Sequence, residues 1–93
     1  MDRVENKRAL KAFLPSARRI VNKVDPLDLI KMGAPKDEYD DLVNEAARWL
    51  ARGAADLDVR LAQFVRAHYQ LSPNRETMVK LATELRRAWQ SAQ

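Results

Sequence analysis

The chain has 93 residues, 46% of them hydrophobic, no cysteine and a formal net charge of +4, which bounds it to one domain and one core without disulfides, thiolate nucleophiles or cysteine-based zinc sites. No window approaches the roughly 18 apolar residues needed to cross a bilayer, and the charged start MDRVENKRALKAF lacks the apolar stretch of a secretory leader, so a cytoplasmic location is expected. Lys and Arg exceed Asp and Glu by five in residues 1–24, fall short by five in 25–58 and exceed by four in 59–93, a segregation that pairs the ends with the middle or steers a charged partner.

Leu10, Phe13, Leu14, Ala17, Ile20, Val21 and Val24 recur at the spacing of one helical face. Pro15 interrupts that face, because it lacks an N–H and pushes Leu14 toward extended geometry. The expected arrangement is a lead helix ending near Phe13 and a second from Pro15 to Val24; one helix kinked at Pro15 is the alternative. Asp25 then reads as an N-cap, with Pro26 at the first helical position and Asp28 in the first turn. This predicts a short helix over Leu27 to Met32, with Leu27, Ile30 and Met32 turned inward and Gly33 as its stop.

After Ala34 and Pro35, Asp40 reads as the cap of a helix whose stripe is Leu42, Ala46, Trp49 and Leu50, with Val43 beside it. Gly53 supplies a left-handed stop, and Asp56 caps a third helix with the stripe Leu57, Leu61, Phe64, Val65 and His68. Ser72 and Pro73 repeat the cap-plus-proline start, and Met78, Leu81, Ala82, Leu85 and Trp89 mark the buried face of the last helix. Strand alternation is absent. The fold expected is all-α, a single domain over 1–93 built as a compact irregular bundle of four main helices plus one short helix.

The segment DPLDLIKMGAPKDEYDD, continuing as LVNEAARWLARGAADLDVRLAQFV, resembles the YugE-like family of small bacterial helical proteins of unknown function. The resemblance covers 17–71, leaving 1–16 and 72–93 as helical additions. Val24, Asp28 and Asp41 stand where that family carries Trp, Gly and Pro. What the resemblance implies is a helical fold in a bacterial cytosolic setting; it transfers no catalytic residue.

Candidate chemistry is sparse. The DEYDD cluster lacks the alternating ligands, central Gly and distal Glu of a calcium loop, and carboxylates at a helix start already serve its dipole and unpaired N–H groups. His68 is the one imidazole, and no hydroxyl among Ser16, Ser72, Ser91, Thr77 and Thr83 stands in a nucleophile motif. Gly33 and Gly53 form no phosphate-cradling pattern. The expectation is therefore a non-catalytic interaction or accessory protein without metal or cofactor, binding a protein partner or itself. Asp28, Lys31, Asp37, Glu38 and Asp41 are the contact candidates, displayed on a loop anchored by Leu27, Ile30 and Tyr39. The alternative is nonspecific nucleic-acid binding through Arg18, Arg19, Arg86 and Arg87, consistent with a pI near 9.8. No helix-turn-helix spacing supports sequence-specific readout.

Overall fold

The apolar stripes become the inward faces of four helices. The computed structural model describes residues 3–93, with α1 at Arg3–Val24, α2 at Asp40–Ala51, α3 at Leu57–Tyr69 and α4 at Arg75–Ala92. Consecutive helices pack side by side and α4 returns against α1; α2 and α4 touch across one diagonal, and α1 and α3 stay apart across the other. Arg18 meets Asp40 at the start of α2, while Leu14, one turn earlier, shares a depression with Val43 and Asn44. Neighbouring helices α1 and α2 therefore run antiparallel.

Phe13, Ala17 and Val21 of α1 meet Leu42 and Ala46 of α2, Leu57, Leu61 and Val65 of α3, and Met78, Leu81 and Leu85 of α4 in one core. All of these are buried, and no polar or charged residue is buried with them among the described residues. Each large side chain so enclosed contributes about 1.5–3 kcal/mol. Phe13 sets the edge of its ring against Trp89, with centroids 5.6 Å apart and planes at 87°. That contact ties α1 to α4 as expected of a core tryptophan. Trp49 is only half-buried at the margin of the same core.

Four local expectations need correction. First, α1 is continuous through Pro15 rather than divided at Phe13. A mid-helix proline costs about 3 kcal/mol, but Ala9 and Phe13 before it and Ala17 and Val21 after it share one buried face. Breaking the helix would sacrifice part of that burial. Pro15 and Lys11 are both exposed, so the Lys11 carbonyl that loses its donor is left to water.

Second, no short helix follows α1. Asp25 and Asp28 have φ values of 51° and 57°, which a right-handed helix excludes. Asp25 sits at the other end of the helix boundary from the one expected: its N–H bonds the Val21 carbonyl at 2.7 Å, so it terminates α1. The following Pro26 disfavours a right-handed helical conformation at Asp25. The segment instead runs through turns closed by Gly33 at φ 98°, with the Ala34 N–H on the Leu29 carbonyl at 2.9 Å. Met32, expected inward, is 75% exposed.

Third, Asp40 does not cap α2. Tyr39 occupies the N-cap position without a side-chain cap, and Asp40 opens the helix itself. Fourth, α4 starts at Arg75, and its cap is Asn74 rather than Ser72, with Asn74 Oδ1 accepting from the Thr77 N–H at 3.1 Å. The other two boundaries lie where expected. Gly53, at φ 76°, completes a left-handed closure in which the Ala54 N–H reaches the Trp49 carbonyl and the Gly53 N–H the Leu50 carbonyl, both at 3.0 Å. Asp56 holds the N-cap position of α3, but its carboxylate receives Arg60 Nε at 2.7 Å instead of a backbone N–H.

Candidate functional site

The α1–α2 connection has no regular helix, yet its polar groups are closely matched. Tyr39 is fully buried, and its hydroxyl uses its whole capacity. It donates to Asp25 Oδ1 at 2.6 Å and accepts from the N–H groups of Leu27 at 3.0 Å and Leu29 at 3.3 Å. Asp25 in turn accepts from the Ile30 N–H at 3.0 Å and the Lys31 N–H at 2.9 Å. Two side chains thus satisfy four loop amides that helix or sheet would otherwise have served.

Partial burial pushes the Asp25 carboxyl upward, but the Tyr39 hydroxyl and the Lys31 and Ile30 amides outweigh it and hold the group below its ordinary value. Burial and the adjacent Asp25 carboxylate push the Tyr39 hydroxyl the other way, above its ordinary value.

The loop is also tied outward to two helices. Asn22 of α1 donates through Nδ2 to the Lys36 carbonyl at 3.0 Å, and Tyr69 at the end of α3 donates to the Glu38 carbonyl at 3.1 Å. Burial, with Asp41 and Glu38 nearby, pushes the Tyr69 hydroxyl up to about 12. Arg18 grips Asp40 through Nε at 3.0 Å and a second nitrogen at 2.5 Å. One cation of the basic first segment, Arg18, therefore pairs with the acidic middle within one fold.

On this frame Asp28, Lys31, Asp37 and Glu38 are exposed, and Leu27 and Ile30 are half-buried beneath them. Asp41 is exposed but engaged, its Oδ2 lying 3.0 Å from His68 Nε2. His68 stacks on Phe64 with centroids 4.9 Å apart and meets Tyr69 edge-on. Asp41 is the sole acidic partner of His68 among the described residues, which hold no group of three His, Asp or Glu arranged to bind a metal ion.

The four candidate arginines do not share a surface. Arg18 is committed to Asp40, and Arg86 donates to the carbonyls of Ala54 at 3.1 Å and Ala55 at 3.3 Å, holding the α2–α3 turn against α4. Arg19 and Arg87 instead line one open groove between α1 and α4, together with Lys23.

A further cluster gathers around Trp49 across two helices. The guanidinium groups of Arg60, Arg52 and Arg48 lie 4.0, 5.4 and 5.9 Å from the Trp49 ring centroid, and Trp49 Nε1 donates to Glu45 Oε2 at 3.2 Å. Arg48 on α2 and Arg52 just past its end flank Trp49 in sequence and were legible, whereas Arg60 arrives from α3 and was not. The cluster accounts for the partly exposed indole through cation–π contacts of about 0.5–1 kcal/mol each. No protein-family model, curated protein or solved structure matches the chain. No described helix is long and apolar enough to cross a membrane.

Proposed function

We propose that the chain is a non-catalytic interaction module that presents its α1–α2 connection to a protein partner. The observation that carries this reading is an irregular loop tied by a buried tyrosine and an aspartate, with Met32 75% exposed at its surface. Asp28, Lys31, Asp37 and Glu38 surround Met32 in sequence and are exposed. A single apolar anchor with charged neighbours matches the core-and-rim pattern of protein interfaces. A loop ordered beforehand also loses less entropy on binding. The resemblance of 17–71 to the YugE-like family belongs to the same reading and suggests a bacterial cytosolic setting.

The test is photo-crosslinking from position 32 in nuclease-treated native lysate, beside a folded variant carrying Asp37→Lys and Glu38→Lys. The reading expects a protein captured through position 32 and weakened by the charge reversal. Retention of every captured partner at unchanged affinity removes the loop from the contact surface.

A further inference from the structure

We infer that the groove between α1 and α4 is a nucleic-acid backbone site built by Arg19 and Lys23 of α1 and Arg87 of α4, which keeps two of the four arginines the sequence singles out and replaces Arg18 and Arg86 with Lys23. The groove encloses about 540 Å³. Its three cations are exposed and form no ion pair among the described residues. Arg19 makes only a 3.4 Å contact to Ser16 Oγ, which lines the groove, as does the Ser91 hydroxyl across from it. Hydroxyls and guanidinium groups are the usual donors to phosphate oxygens. Glu84 is the one carboxylate in the lining, so three positive charges less one negative leave a net +2.

The shape favours a polymer over a lone phosphate. The groove runs along α1 from Ala12 to Lys23, and beyond its lining the same α1 face continues back to Arg8, three turns before Arg19, while Lys80 stands one turn before Glu84 on α4. From Arg8 to Lys23 the helix rises about 22 Å at 1.5 Å per residue, the length of roughly six to seven nucleotide steps at 3.4 Å. Phe13 and Trp89 lie buried between these helices, and no aromatic ring lines the groove. Without a stacking platform the site reads backbone charge and not bases. Arg18 and Arg86 contribute little because Asp40 and two backbone carbonyls already hold them.

Anisotropy titration of a short labelled duplex between about 50 and 200 mM salt tests the site. Each phosphate-contacting cation adds about 0.9 to the slope of log affinity against log salt. The variant with Arg19→Ala, Lys23→Ala and Arg87→Ala should therefore lose between two and three units of slope, about 2.7 at full contact. A charge-matched variant with Arg48→Ala, Arg52→Ala and Arg66→Ala should change the slope by less than about one unit, and Glu84→Gln should tighten binding. Circular dichroism confirms that each variant is folded. Absence of duplex binding at the lowest salt overturns the inference, as does equal slope loss in the two triple variants. Displacement of the duplex by polyglutamate at equal charge concentration also overturns it, assigning the groove to acidic peptides.

Discussion

Replacing Tyr39 with Phe removes one oxygen atom from the centre of the α1–α2 connection and leaves the ring in place. That oxygen donates to Asp25 at 2.6 Å and accepts two loop amides. The bond to an ionised carboxylate is worth about 1.5–3 kcal/mol, and two partly buried N–H groups left without a partner add roughly 1 kcal/mol between them where water reaches in. The expected loss is about 2–4 kcal/mol, against a total of roughly 5–14 kcal/mol for a chain of this size. With a urea m value of about 1.5 kcal/mol/M, the unfolding midpoint should fall by roughly 2 M. Asp25→Asn should couple to it, because both substitutions act on the same bond. A double-mutant cycle should return an interaction of at least about 1 kcal/mol. A Tyr39→Phe cost below about 0.5 kcal/mol, or additivity of the two changes, would refute the pairing as the loop's main restraint.

Pro15→Ala restores the N–H that α1 lacks at an exposed position, and should raise stability by about 1–3 kcal/mol in urea unfolding; a loss would mean the proline ring itself packs. Gly53→Ala meets no atom within 4 Å of the added Cβ but keeps φ at 76°, so left-handed strain alone should cost about 1–2 kcal/mol. Because the folded Asp25 carboxyl titrates below its ordinary 3.8, its contribution is present above that value and lost as pH falls through the folded one. Asp25→Asn should flatten the acid limb of stability against pH. At the alkaline end the sign reverses. Tyr39 and Tyr69 are raised above 10 when folded, so stability should fall as pH rises above about 10, and Tyr69→Phe should remove its share of that slope.

The core stripes of α2 and α4 were legible from their helical period, and Gly53 as a stop, whereas α3 was legible only in part: Phe64 is half-buried and His68 exposed, although both fall on its apolar stripe. In α1 the apolar face was legible but its continuity stood only as the alternative, since the rule at Pro15 is local and the core burial of Ala9, Phe13, Ala17 and Val21 on both sides of it is not. Asp25 and Pro26 were legible as a boundary but not in direction. The same dipeptide opens a helix or ends one, and the bond that occupies the Asp25 carboxylate comes from Tyr39, fourteen residues away. Ser72 outweighed Asn74 in the sequence because a proline follows it, although Asn is an equally good cap residue. Arg18 and Arg86 looked equivalent to Arg19 and Arg87 because sequence shows charge but not the partner that occupies it.

Native-state hydrogen exchange at Leu27, Leu29, Ile30 and Lys31 separates a held α1–α2 connection from a slack linker. These four amides are bound by Tyr39 and Asp25. A held connection gives opening free energies of several kcal/mol at all four, approaching those of the core helices. Exchange at the rate of a fraying terminus, with opening free energies near zero, would show a slack linker instead.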